Sequence, residues 1–112
     1  MKKLIVLFGL FIMVFTLSAF KGKTATPFKN LQVLPDSTTE EQLDAIMHAY
    51  NESLNVKCSH CHIKGNMASD ENPEKEIARK MMRMTNEINE KYFGKDSGTV
   101  GCMTCHNGKL HP

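Results

Sequence analysis

The chain of 112 residues contains no tryptophan, and aromatic residues make up only 7% of it. It also lacks an excess of one charge outside its start, because without Lys2 and Lys3 twelve basic side chains face twelve acidic ones. A nucleic-acid-binding surface needs a basic field, so this balance excludes nucleic acid as the expected partner. The part of the chain after the first twenty residues has few large aliphatic side chains, and a chain of that size usually needs disulfides, a metal or a large cofactor to complete its core.

The long apolar stretch of the chain lies within its first twenty residues. Lys2 and Lys3 precede a run from Leu4 to Phe20, a pattern typical of an export signal. As a helix the run measures about 25 Å at about 1.5 Å per residue, which is short for a membrane span. It ends without a cysteine, so no lipid-modified anchor is expected. Residues 1–20 are predicted to be a signal peptide or an N-terminal membrane anchor. The remainder is predicted to be periplasmic, either soluble or anchored to the inner membrane.

The exported part divides into a short lead-in and one domain. Residues 21–35 carry two prolines and are predicted to form a tether with a short extended segment near Leu31–Leu34. Residues 36–112 are predicted to form the domain. Ser37 followed by Glu40 has the spacing of a capping box, which predicts a helix beginning near Thr38. Its apolar side chains recur with helical spacing at Leu43, Met47, Tyr50 and Leu54.

A second, longer helix is predicted from Pro73 to about Phe93. Asn72 is suited to cap it, and proline is tolerated in the first turn. Its apolar stripe consists of Ile77, Met81, Met84 and Ile88. Each helix precedes a Cys-x-x-Cys-His motif, so one unit occurs twice. The predicted fold class is mainly α, a small helix-and-loop domain of two helix–loop–CxxCH units with few or no strands.

The two motifs read CSHCH at residues 58–62 and CMTCH at residues 102–106. A disulfide framework or a structural zinc site would use the four cysteines but leave the two histidines unexplained. A thioredoxin-like dithiol is expected beside a βαβ pattern, which the sequence lacks. Covalent haem uses every element, because two thiols attach the porphyrin and the adjacent histidine binds its iron. The sequence therefore predicts two haem c groups. They are attached at Cys58/Cys61 and Cys102/Cys105, with His62 and His106 as proximal ligands.

A methionine at the same position of both stripes suggests the distal ligands. Methionine often only fills gaps in a core, but here Met47 and Met81 each precede a motif whose haem iron needs a sixth ligand. We predict Met47 for the first haem and Met81 for the second, with Met84 as a weaker alternative on the same helix face. His60 is expected to point outward from its motif. Arg79, Lys80 and Arg83 are expected on a solvated helix face.

Four segments together resemble a known family: FKNLQVLP, NESLNVKCSHCH, ASDENPEKEIARKMMRMTNEIN and VGCMTCHNGK. They are similar to the cytochrome subunit of photosynthetic reaction centres, and to small dihaem cytochromes formed from half of that tetrahaem module. The resemblance covers nearly all of residues 28–109 and implies Met47 with His62 and Met81 with His106. The two further haems and the bis-histidine site of the tetrahaem subunits have no counterpart here. Asn55 stands where glycine is common, and Asn107 where arginine is frequent.

These observations predict an exported dihaem electron carrier rather than an enzyme. Its redox partners are expected to be a quinol-oxidising complex, an oxidase or a reaction-centre-like complex. Two alternatives stay open. One is a haem enzyme or gas-binding protein with an open distal site, and the other is a zinc- or disulfide-stapled binding module.

Overall fold

Two amphipathic helices, each followed by a motif-bearing turn, form the part of the chain that the structure describes. This structure is a computed structural model that describes residues 28–112, so the predicted signal or anchor at residues 1–20 lies outside it. We number the helices α1 (Glu40–Leu54), α2 (Pro73–Tyr92) and α3 (Cys102–His106), and a 3-10 turn covers Cys58–His60. Residues 28–112 contain no strand, only an isolated bridge between Ile63 and Asn66. The predicted mainly helical fold class is confirmed.

Helix α1 begins two residues later than the sequence predicts. Its capping box joins Thr39 and Gln42: the Thr39 hydroxyl accepts from the Gln42 N–H at 3.2 Å, and the Gln42 side chain accepts from the Thr39 N–H at 2.9 Å. The predicted box at Ser37 and Glu40 is wrong because Thr38 is committed to a preceding turn. Both its N–H and its hydroxyl donate to the carbonyl of Pro35, at 3.0 and 2.6 Å. Upstream, residues 32–34 are bends.

Helices α1 and α3 both end at an asparagine in the left-handed conformation. Asn55 has φ 53° and ψ 49°, and Asn107 has φ 47° and ψ 45°. This conformation closes a helix end with little strain in glycine and is tolerated by asparagine better than by most residues. Asparagine in place of the more common glycine at position 55 therefore preserves the helix end.

Helix α2 has the predicted start, and it ends within a residue of the prediction. The Asn72 side chain accepts from the Glu74 N–H at 3.1 Å, and Pro73 occupies the first turn. Its apolar stripe is partly exposed, with Ile77 at 49% and Met84 at 42%. The buried residues of α2 are polar and lie on the opposite face: Lys75, Arg79 and Asn89. None of the helices in residues 28–112 has the length and apolar character of a membrane span.

Candidate cofactor site

One open cavity of about 670 Å³ collects side chains from both repeat units. This volume lies within the range of about 300–1,000 Å³ that is common for cofactor and ligand sites. Met47 and Tyr50 line it from α1, and Ile77 and Met81 line it from α2. Six motif residues also reach it: Cys58, His60, Cys61, His62, Cys102 and His106. The structure therefore brings together most of the residues that the sequence singled out.

Two predicted residues lie outside this cavity. Cys105 is exposed and does not line it, although its motif partners Cys102 and His106 do. Met84 also does not line it, whereas Met81 on the same helix face does. Met82, which was not predicted as a ligand, also lines it, so the assignment of the second distal ligand stays a prediction.

Both motif histidines are held through the same ring nitrogen. Nδ1 of His62 lies 2.9 Å from the carbonyl oxygen of Met67, and Nδ1 of His106 lies 2.9 Å from the carbonyl oxygen of Lys109. A carbonyl can only accept, so each Nδ1 carries the hydrogen and donates it. In the neutral ring the lone pair then resides on Nε2, which is free to bind a metal. This arrangement is the usual one for a histidine that ligates a metal.

The tight motif geometry follows from local hydrogen bonds. In the first motif the His62 N–H donates to the Cys58 carbonyl at 2.9 Å, which closes a turn around both cysteines. In the second, the motif itself forms α3, and the loop before it is held by Asn89. The Asn89 side chain donates to the Val100 carbonyl at 2.8 Å and accepts from the Val100 N–H at 2.7 Å. Sequence reasoning missed Asn89, although its place on the face opposite the apolar stripe was readable.

The two units are also joined to each other. The N–H of Gly108, just after the second motif, donates to the carbonyl of Ser53 in α1 at 2.9 Å. Burial, and then the neighbouring Cys102 thiol, raise the pKa of Tyr50 to about 12. Tyr50 belongs to the helix of the first unit, so its proximity to Cys102 places the second motif against α1.

His60 does not point outward as expected. It lines the cavity, and its Nε2 is inaccessible to solvent and lies 3.6 Å from a carboxylate oxygen of Glu74. The backbone explains this orientation, because the Asn72 side chain donates to the His60 carbonyl at 2.8 Å and draws the motif against the start of α2. By contrast, His48 is a surface residue that pairs at 3.6 Å with Asp44.

Arg79 is likewise not on a solvated face. It is 7% exposed, and its guanidinium lies 3.0 Å from Asp70 and 3.3 Å from Glu76. Lys75, 9% exposed, also pairs with Asp70, at 3.2 Å. A hydrogen bond from Asn30, then those from Arg79 and Lys75, lower the pKa of Asp70 to about 2. This cluster ties the lead-in around Asn30 to the loop after the first motif.

All four cysteines are free in this structure. None of the four is in a disulfide bond. Within residues 28–112 no three His, Cys, Asp or Glu side chains are grouped to hold a metal ion. Burial, and for Cys61 also the Glu74 carboxylate, raises the pKa of the Cys61 and Cys102 thiols. These two partly buried thiols are thus less readily ionised than a free cysteine.

Comparison with known proteins decides the family. Residues 15–112 match the family described as photosynthetic reaction centre cytochrome C subunit. The chain belongs to this family. The resemblance to the cytochrome subunit of photosynthetic reaction centres is thereby confirmed. The family is one of c-type cytochromes, which carry covalently bound haem and transfer electrons, and not one of enzymes.

Individual relatives of the family agree in their level of similarity. The chain is 33% identical over 82 residues to cytochrome c-554 of Chloroflexus aurantiacus, covering 70% of this chain and 20% of that protein. It is 32% identical over 93 residues to the photosynthetic reaction center cytochrome c subunit of Thermochromatium tepidum, covering 80% and 23%. The subunit of Roseobacter denitrificans is 32% identical over 94 residues, covering 76% and 25%. The chain thus spans a quarter or less of the length of these relatives.

The residues present fit haem c, the prosthetic group of this family. Each motif offers two thiols beside a histidine whose Nδ1 is already engaged and whose Nε2 is free. The cavity that they share is lined by methionine and aliphatic side chains, as an apolar macrocycle requires.

Proposed function

We propose that the chain is an exported dihaem c-type cytochrome that carries electrons between redox proteins. One observation supports this most strongly: both motif histidines donate their Nδ1–H to a backbone carbonyl. A coincidental or purely structural histidine has no reason to adopt the same tautomer and the same local contact in two separate motifs. Each of the two histidines has its Nε2 free for a metal and lies beside two thiols, which is the arrangement that one covalently attached haem needs.

The proposed roles follow from the motifs and the cavity. Cys58 and Cys61 hold the first haem, and Cys102 and Cys105 hold the second. His62 with Met47, and His106 with Met81, are the proposed axial pairs. When bound, the haem irons alternate between the ferric and ferrous states and so supply one-electron chemistry. Methionine as the sixth ligand gives a higher potential than a second histidine does and leaves no open position for a substrate.

The proposed setting is the periplasm, with residues 1–20 as a removed signal or a retained anchor. The proposed redox partners are a quinol-oxidising complex, an oxidase or a reaction-centre-like complex. The relatives named as reaction centre subunits support the last of these. Because the chain spans a quarter or less of their length, that partner does not follow from the family alone.

The test combines intact mass, an optical spectrum and carbon monoxide on protein exported from cells that mature c-type cytochromes. We expect the mass of two haems and a ferrous spectrum that carbon monoxide leaves unchanged. The double variant Cys102→Ala/Cys105→Ala serves as the control and should carry the mass of one haem. Two haems with bound carbon monoxide would favour a haem enzyme or gas-binding protein. The absence of haem would overturn the proposal and return the cysteines to zinc or disulfides.

A further inference from the structure

The carbonyl that holds His62 accepts a second, charged hydrogen bond. The carbonyl oxygen of Met67 lies 2.9 Å from Nδ1 of His62 and also 2.9 Å from the ammonium nitrogen of Lys75. A carbonyl oxygen has two lone pairs and can accept both hydrogens at once. His62 and Lys75 therefore compete for the electron density of one oxygen atom.

Lys75 is fixed in this position by its other contacts. Its ammonium also donates to the Ser69 carbonyl at 2.8 Å and pairs with Asp70 at 3.2 Å. Ala68 lies between Met67 and Ser69, the two residues whose carbonyls accept from Lys75, and its own carbonyl accepts from the Asn30 side chain at 2.7 Å. With only 9% of the residue exposed, Lys75 cannot exchange these acceptors for water without opening the loop. The competing hydrogen bond is therefore supported by two other contacts of the same ammonium group.

The second motif lacks this feature. His106 donates to the carbonyl of Lys109 at 2.9 Å. Among residues 28–112 no other side chain donates to that carbonyl. Both proximal histidines thus donate to a backbone carbonyl, but in the described part of the chain only the carbonyl that accepts from His62 also accepts from a lysine.

We propose that Lys75 raises the reduction potential of the first haem, so that the first haem is reduced in preference to the second. This inference rests on the proposed function, with His62 as a ligand of that haem. A hydrogen bond from an ammonium withdraws density from the Met67 oxygen, which then accepts the Nδ1–H of His62 less strongly. A less polarised imidazole is a weaker donor to iron, and a weaker donor stabilises the ferric state less. An electron that enters at the second haem is thereby drawn towards the first.

The test is a redox titration of both haems in the full-length holoprotein and its Lys75→Met variant. We expect the equilibrium between oxidised and reduced first haem to shift towards the oxidised form by about tenfold, a fall of about 59 mV for one electron, while the second haem is unchanged. The Cys102→Ala/Cys105→Ala chain assigns the two couples, because it keeps only the first. Lys80→Met is the matched control, because it removes the same charge from an exposed position of the same helix.

Further variants separate tuning from support of the loop. Lys75→Arg keeps a charged donor and should restore most of the potential, and Lys75→Gln keeps a neutral donor and should fall between. If Lys75→Met lets carbon monoxide bind the first iron, its potential no longer reports on tuning alone. The potentials of Lys75→Arg and Lys75→Gln then test the inference. An unchanged first couple, or an equal shift from Lys80→Met, would overturn the inference. Both results leave the two-haem mass, and with it the proposed function, intact. A mass short of two haems in the parent chain would instead refute the proposed function.

Discussion

The side chain of Asn89 should stabilise the fold through two hydrogen bonds to one residue. It bonds both the N–H and the carbonyl of Val100, at 2.7 and 2.8 Å, and is itself only 7% exposed. Each such bond contributes about 1 kcal/mol net, and more when its loss leaves a buried backbone group unpaired. Asn89→Ala should therefore lower the free energy of unfolding by about 2 kcal/mol. For a domain of this size that corresponds to a fall in Tm of about 8–16 °C.

The matched control is Asn86→Ala on the same helix. Asn86 is exposed, so both variants gain the same helix preference of alanine over asparagine, up to about 0.7 kcal/mol, and only one loses the Val100 bonds. Urea unfolding of the holoprotein, followed by circular dichroism at 222 nm, gives both midpoints. Equal midpoints would refute the reasoning, because the bonds to Val100 would then contribute no net free energy.

Three further predictions concern the ligands, a helix end and the acid range. In the holoprotein, Met47→Ala and Met81→Ala should each let one ferrous haem bind carbon monoxide, seen as a shifted Soret band. Met84→Ala should not, and the reverse result for Met81 and Met84 would move the second distal ligand to Met84. Asn55→Ala should lower the free energy of unfolding by about 1 kcal/mol relative to Asn55→Gly, measured by urea midpoint, because alanine is strained in the left-handed region. Asp70 has its pKa lowered from 3.8 to about 2, so its contribution is complete above pH 3.8 and is lost as the pH falls towards 2. Urea midpoints should fall more steeply across that window in the parent chain than in Asp70→Asn, which keeps only the acid dependence of other carboxyls such as Glu76, and parallel slopes would contradict this role.

The helices and motifs were predictable because their determinants are local. Asn72 and Pro73 fix the start of α2 within one turn of chain, and the spacing of Met47 and Met81 places them on apolar faces. The start of α1 was missed because Thr38 is taken up by a turn with Pro35. The sequence allows a capping box at Ser37 and Glu40 or at Thr39 and Gln42. The turn between Pro35 and Thr38 determines that the second one forms.

The roles of the polar residues were not predictable because their partners lie outside the helix or turn that carries them. Lys75 and Arg79 belong to a basic helix whose charges usually face water, and only the fold brings Asp70 and Asn30 to them. His60 turns inward because Asn72, twelve residues later, bonds its carbonyl. Periodicity indicates which side of a helix is apolar, but it does not indicate what covers the polar side.

The hydrogen bond from Gly108 to Ser53 also bears on how the molecule is made. Synthesis proceeds from the N-terminus, so α1 is complete before the segment that packs against it has been translated. The wall of the cavity near Tyr50 is then closed only when residues 102–108 arrive. We therefore expect the first unit to need the polypeptide of residues 102–108, though not the second haem, in order to fold. A truncated chain that ends after α2, exported from the same cells as the full chain, should remain susceptible to proteolysis in α1, whereas the full-length holoprotein should be protected in both units.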